Sequence, residues 1–235
     1  MAIFFTIGIE TGASMLIKIT LFAISVLTAL AVSPVVSLAC ACCAEPGTYF
    51  LSTYRPREFE LNLLKQLSFE KKANLYMTEA GFDMIKGLDE INKESEIDAI
   101  VESYGHFDLT NGFSGKQWRF EMRSAGGKKG MLTLPMPAQM VNFKVDIHDE
   151  EGRPNGPLLY KEYRFKGNVA AATGIFRSGA FRSTSYFLLF QGRGNGCDES
   201  YNYTNWRLEI SGPGASYSFF GKLDVNAAKK AADQF

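Results

Sequence analysis

Apolar and polar residues alternate along much of the chain after residue 100, which is the pattern of strands with one buried and one exposed face. The clearest runs are residues 141–147, 104–110, 118–123, 159–165 and 206–210. In the first of these runs, the alternation places Val141, Phe143 and Val145 on the buried side. It places Asn142 and Lys144 on the solvent side. We therefore expect a strand here that contributes its valines and phenylalanine to the core.

A different pattern marks residues 186–190, where every position is apolar or aromatic. A strand that is apolar on both faces belongs in the middle of a sheet that is covered on both sides. Two alternating runs follow, residues 206–210 and 217–223, and the turn Gly212-Pro213-Gly214 separates them. This spacing predicts an antiparallel hairpin.

Helical spacing of leucines occurs only early in the mature chain and predicts one short amphipathic helix near residues 57–69. The remaining runs are short, and turn residues separate them. We therefore predict an all-β fold, either an antiparallel β-sandwich or a small β-barrel of about eight to ten strands. An N-terminal signal helix would precede it.

Lys161 interrupts the apolar face that Leu159, Tyr163 and Phe165 share in the run 159–165. A lysine among apolar neighbours either extends its amine to the rim of the core or marks a polar pocket. The sequence-based expectation is that the amine of Lys161 reaches the rim.

The N-terminal residues have the layout of a secretory signal peptide, with a lysine, a long apolar run and small residues at its exit. We expect residues 1–39 to form this signal, with Met1 or Met15 as the start and cleavage after Ala39 or Ala41. An uncleaved membrane anchor and a lipoprotein acylated on Cys40 are the alternatives. The signal predicts export to the periplasm or the medium, with residues 40–235 as a single extracytoplasmic β domain.

Four cysteines occur in the whole sequence, and three of them cluster directly after the predicted signal. In an oxidising compartment, a disulfide between this cluster and Cys197 is expected. Cys43 is the preferred partner because it lies furthest from either cleavage point. The alternative is a soft-metal site, in which thiolates would bind Cu(I) or Zn(II). Its ligands would be Cys40, Cys42, Cys43 and Cys197.

The glycine-rich loop between the strands 186–190 and 206–210 carries the candidate ligand-binding residues. These are Arg193, Asn195, Asp198, Glu199 and Asn205. Glycines let a backbone approach a ligand closely, and the other side chains offer donors and carboxylates. A phosphate-binding loop would need a helix after the glycines, whereas a strand follows here. We expect the loop to form the lip of an aromatic-walled pocket.

The charge balance and the missing catalytic motifs reduce the number of functions that the sequence supports. Lysine plus arginine equals aspartate plus glutamate at 25 each, so the composition gives no sign of a nucleic-acid partner. The sequence contains neither a Gly-x-Ser-x-Gly elbow nor a zinc-protease motif. We therefore predict a non-catalytic domain without a cofactor that binds a small-molecule or envelope-derived ligand. Membranes would be contacted only through the signal or an N-terminal lipid. The alternatives are a hydrolase or lyase that uses Asp198, Glu199 and Arg193, and soft-metal handling.

Overall fold

The structure is a computed structural model that describes residues 47–76, 85–89, 105–147, 158–177 and 183–232. The chain divides into two compact units, Met1–Cys40 and Ala41–Phe235, and all described residues belong to the second. The predicted signal segment and the N-terminal cysteine cluster lie outside the described residues. The predicted domain boundary and export therefore stay predictions.

The described residues form eleven strands and two α-helices. In chain order these are β1 (Tyr49–Tyr54), α1 (Glu58–Gln66), β2 (Lys72–Leu75), β3 (His106–Phe113), β4 (Gln117–Ser124), β5 (Lys129–Pro135), β6 (Met140–Asp146), β7 (Leu159–Asn168), β8 (Ala171–Gly174), β9 (Ser185–Gly194), β10 (Tyr203–Ser211), β11 (Ser216–Lys222) and α2 (Val225–Ala232). A 3₁₀ turn at Ser200–Asn202 separates β9 from β10.

All eleven strands belong to one sheet, and every neighbouring pair within it is antiparallel. The order across the sheet is β1-β6-β7-β9-β10-β11-β2-β3-β4-β5-β8. The sheet is not closed, since no ladder in the described part of the chain joins β1 to β8. The predicted β class and antiparallel pairing are confirmed. The described residues form eleven strands where about eight to ten are predicted, and the four-residue strands β2 and β8 are too short to show a clear alternation.

The sheet curves so that distant strands share one aromatic core. Trp118 of β4 and Phe165 of β7 have ring centroids 4.9 Å apart, although five strands lie between β7 and β4 in the order of the sheet. Phe69 contacts both Phe120 of β4 and Trp206 of β10, at 5.6 and 5.5 Å. Aromatic pairs of this kind contribute about 0.5–1.5 kcal/mol each beyond their buried area. Contacts between these large rings on the inner face therefore stabilise the curved form of the sheet.

Several sequence predictions agree with this arrangement. The strand predicted at residues 186–190 is part of β9, which lies between β7 and β10 inside the sheet. The predicted cover on both faces is wrong, because Phe187 and Leu189 on the outer face are only half buried. The hairpin across Gly212-Pro213-Gly214 pairs β10 with β11, with Ser211 opposite Ser216. The helix predicted near residues 57–69 is α1, which buries Leu63 and Leu64.

The orientation predicted for β6 is wrong. Met140, Asn142 and Asp146 are buried on its inner face, whereas Val141 and Phe143 lie on the outer face and are only half buried. Alternation establishes two faces but does not say which of them faces inward. Polar partners described below hold the polar face inside.

The position predicted for Lys161 is also wrong. Its side chain is 0% exposed and lies on the inner face of β7, between Leu159 and Tyr163. The lysine does not reach the rim because acceptors for its amine lie inside the fold, in the loop after β9.

Candidate functional site

Two lysines face each other inside the sheet because of the pairing between β6 and β7. Lys144 and Lys161 are direct partners in this antiparallel ladder. The Lys144 side chain is 12% exposed and that of Lys161 is 0% exposed. Like charges directly opposite each other destabilise a sheet, and the cost rises with burial. A buried anion beside them is therefore required.

Asp198 supplies this anion from the loop after β9. Its Oδ2 lies 2.9 Å from the Nζ of Lys144, and its Oδ1 lies 3.5 Å from the Nζ of Lys161. Burial alone would raise the pKa of the Asp198 carboxyl, but the two ammonium groups outweigh this effect and lower the pKa. Asp198 is therefore a carboxylate at neutral pH.

Burial dominates the pKa of Lys161. Desolvation lowers the pKa of Lys161 to about 8, although the charge of Asp198 favours the protonated amine. Asp198 and Lys161 therefore form a buried ion pair, and the amine of Lys161 titrates close to neutral pH.

The same lysines hold the glycine-rich loop in place. Lys161 Nζ donates to the carbonyl of Cys197 and to the Oδ1 of Asn202, the latter at 3.0 Å. Lys144 Nζ donates to the carbonyl of Gly196 at 2.7 Å. Backbone carbonyls that would otherwise need water are therefore satisfied by buried cations.

A second polar chain runs from Asp198 to the start of α1. The amide of Asn142 donates to Asp198 Oδ2 at 3.1 Å and to the hydroxyl of Tyr54 at 3.2 Å. Tyr54 donates in turn to Glu60, which also accepts from Arg57 at 2.6 Å. Burial would raise the pKa of Glu60, but the hydrogen bonds from Arg57 lower it overall. The Oδ1 of Asn142 is buried and accepts no hydrogen bond from the described residues.

A pocket of about 450 Å³ opens above this network, and we call it the Asp198 pocket. Its volume lies within the range of small-molecule sites. β1, α1, β6 and the loop after β9 all contribute to its wall. The lining residues are Phe50, Ser52, Tyr54, Arg55, Arg57, Phe59, Glu60, Asn142, Lys144 and Asp198.

The glycines of the loop serve close packing. A Cβ at Gly192 would lie 1.8 Å from the carbonyl oxygen of Asn202, and a Cβ at Gly194 would lie 1.7 Å from the Oδ1 of the same residue. Both positions exclude any larger residue because Asn202 must reach Lys161. The structure thus gives these glycines a packing role.

The structure places the five predicted ligand residues in different environments. Asp198 lines the Asp198 pocket, and it also lines a neighbouring pocket of about 320 Å³ together with Glu199. Asn195 stabilises the loop by accepting from the backbone N–H of Cys197 at 3.0 Å. Arg193 is exposed on the outer side of β9. The side-chain amide of Asn205 donates a hydrogen bond to the hydroxyl of the adjacent residue, Thr204. The described geometry therefore brings only Asp198 and Glu199 to a concave surface.

Sequence reasoning missed most members of the network, among them Tyr54, Glu60, Asn142 and Lys144. The alternation predicts solvent-facing positions for Asn142 and Lys144, and nothing in the sequence links β1 or α1 to the loop. The one available signal was Lys161, a lysine on an apolar face.

Comparisons with known proteins give no relative. No family model matches the chain, and no curated protein and no solved structure resembles it. Within the described ranges, no cluster of three metal-ligating side chains occurs. Among the same residues, no helix has the length and apolar character needed to cross a membrane.

Proposed function

We propose that this protein is a non-catalytic binding domain whose Asp198 pocket holds a small hydroxylated ligand, about the size of one or two sugar rings. The observation that carries the proposal is the orientation of β6. A strand that served only the core would bury Val141 and Phe143, yet it buries Asn142 and directs Lys144 into a pocket. Local violations of the hydrophobic pattern are expected where a site requires them.

Hydrogen-bonding capacity at the floor of the pocket favours a hydroxylated ligand. Lys144 uses two of its three N–H groups on Asp198 and Gly196, so a third donor is left for a ligand. Asn142 Oδ1 is an acceptor without a partner in the described structure, and such a group costs about 1–3 kcal/mol when buried. A ligand hydroxyl can accept a hydrogen bond from Lys144, whereas Asn142 Oδ1 is enclosed by the protein and offers no surface to a ligand.

The walls of the pocket favour a ligand with an apolar face. Phe50 and Phe59 are among the exposed large hydrophobic residues, and both line the pocket beside Tyr54. Amphipathic rings combine such faces with polar edges, and pockets usually combine apolar walls with a few oriented polar groups. Envelope glycans have this chemistry, in agreement with the predicted export.

The lowered pKa of Asp198 favours binding over carboxylate catalysis. A general acid at neutral pH needs a raised pKa, whereas the two lysines stabilise the charged form of this carboxyl. Both carboxylate oxygens also accept hydrogen bonds from protein groups.

Thermal unfolding in the presence of simple sugars tests the proposed function. N-acetylglucosamine, cellobiose, trehalose and glucuronate serve as probes, because a ligand that binds only the folded state raises Tm. Phe59→Ser should abolish the rise caused by any sugar that binds. Phe220→Ser removes another exposed aromatic side chain, from β11, and should leave that rise intact.

Two results would contradict the proposal. One is the absence of a Tm shift with all four sugars at millimolar concentration. The other is a shift that Phe59→Ser and Lys144→Met leave unchanged, because binding would then lie elsewhere on the protein.

We also propose that the domain is exported and that a disulfide ties the N-terminal cysteine cluster to its glycine-rich loop, with Cys43–Cys197 as the predicted pair. The disulfide-bonded state of Cys197 supports this proposal. The bond would fasten the segment before β1 to the loop that carries Asp198.

A further inference from the structure

The inversion of β6 leaves an apolar strip on the outside of the sheet. Outward residues of β1 and β6 lie side by side, since Tyr49 pairs with Val145 and Leu51 pairs with Phe143. Tyr49 is 65% exposed and Leu51 is 53% exposed. We call Tyr49, Leu51, Phe143 and Val145 the outer strip. Exposed apolar patches at the rim of a sheet are typical of binding surfaces.

A groove of about 790 Å³ adjoins the outer strip, and we call it the basic groove. Its wall is formed by β1, β6, β7, β9 and the connection between β5 and β6. The lining residues are Thr53, Arg55, Pro137, Ala138, Gln139, Met140, Val141, Arg164, Lys166 and Phe187. The lining therefore combines an apolar floor with three cations and includes no carboxylate.

The cations of the basic groove are incompletely neutralised. Arg164 forms an ion pair with Glu162 and lies over the ring of Phe143, 4.9 Å from its centroid. Arg55 and Lys166 form no ion pair with any described residue. An anionic group placed between these two side chains would gain charge-assisted contacts without first breaking a salt bridge.

We propose that the basic groove binds a single anionic lipid, with the acidic head group between Arg55 and Lys166 and an acyl chain along Val141 and the outer strip. Charge complementarity selects the head group, and the apolar side chains of Val141, Leu51 and Tyr49 select the chain. This site is separate from the Asp198 pocket, with which it shares only Arg55. The inference does not depend on the proposed function.

Calorimetric titration of the whole protein with dihexanoyl phosphatidylglycerol, below its micellar concentration, tests the inference. We expect saturable binding of one molecule per chain. Glycerol 3-phosphate carries the head group without the chains, and dihexanoyl phosphatidylcholine carries the chains with a neutral head. Both should bind at least about tenfold more weakly, since each lacks contacts worth roughly 1.4 kcal/mol or more.

Matched variants locate the site. Lys166→Glu should weaken binding about tenfold or more, because it turns an attraction to the acidic head group into a repulsion. Lys222→Glu makes the same charge change at an exposed position on β11 and should have no effect. Leu51→Asp should also weaken binding, whereas Tyr76→Asp, at a similarly exposed position, should not.

The other outcomes would overturn the inference. Equal binding of glycerol 3-phosphate would indicate a site for a free anion, and equal binding of the neutral lipid would indicate an apolar site. Binding only above the micellar concentration would indicate a membrane surface. A stable dimer that Leu51→Asp dissociates would indicate that a second copy of the chain covers the strip.

Discussion

Lys161 is the residue whose environment differs most from the sequence-based expectation. Its ammonium group is fully buried, and it bonds to Asp198, Asn202 and the carbonyl of Cys197. Breaking one member of a buried ion pair leaves an uncompensated charge, which typically costs about 3–5 kcal/mol. The position of the glycine-rich loop therefore depends on this one amine.

The stability of the protein should rise with pH between 7 and 9.5. The pKa of Lys161 is about 8 in the folded state and about 10.4 in an unfolded chain, so the unfolded state binds more protons over this range. Stability increases with pH wherever the unfolded state binds more protons, and the expected gain is about 2 kcal/mol. Urea unfolding at the two pH values measures it.

Lys222→Met should keep this gain and Lys161→Met should lose it. If Lys161→Met does not fold, an NMR titration of the Lys161 side chain in the native protein replaces it. A midpoint near 10.4, or a stability that falls over this pH range, would contradict the prediction.

At the scale of elements, a comparison of β6 with β4 and β10 shows what an alternating pattern can establish. The strands β4 and β10 were predicted correctly because their apolar faces point inward, as the hydrophobic effect requires. β6 has an equally clear alternation, but Asp198 and Tyr54 hold its polar face inside. Those partners come from distant parts of the chain, so no local pattern could reveal them. Asp198 itself was identified because it stands in a loop of unusual composition.

The glycines at the end of β9 allow a test at this scale. Gly192→Ala should lower the free energy of unfolding by about 2 kcal/mol or more, because its Cβ would overlap the backbone of Asn202. Gly112→Ala in β3 is the matched control, since a Cβ there meets nothing within 4 Å. Its effect should stay within about 0.5 kcal/mol. Urea denaturation of both variants measures the difference.

Failure of Gly192→Ala to accumulate as folded protein, while Gly112→Ala accumulates normally, would agree with this expectation. Equal stability of the two variants would show that the close approach to Asn202 is not a constraint.

At the scale of the whole molecule, one curved sheet has two chemically different regions. Aromatic rings around Phe69 fill one region, and the polar network around Asp198 occupies the other. Composition was enough to predict the β class. It could not predict that the sheet stays open, because closure depends on which strands meet at the ends of the ladder.

The predicted export and disulfide apply to the whole chain. We expect a mature N-terminus at Cys40 or Cys42 and a Cys43–Cys197 bond, which intact-mass measurement and peptide mapping without reductant would detect. Cys197→Ser should lower the free energy of unfolding by about 3–5 kcal/mol, because the bond closes a long loop. Four free thiols in the exported protein would contradict this expectation and favour the soft-metal alternative.

The strand β1 has a consequence for the protein at high concentration. Its six residues, Tyr49–Tyr54, include no charge and no proline, and in the described part of the chain only β6 pairs with it. Natural sheets protect such borders with gatekeeper residues, but here Arg55 and Pro56 come just after the strand ends. Crowded molecules can therefore extend one another's backbone ladders, which is the first step toward fibrils.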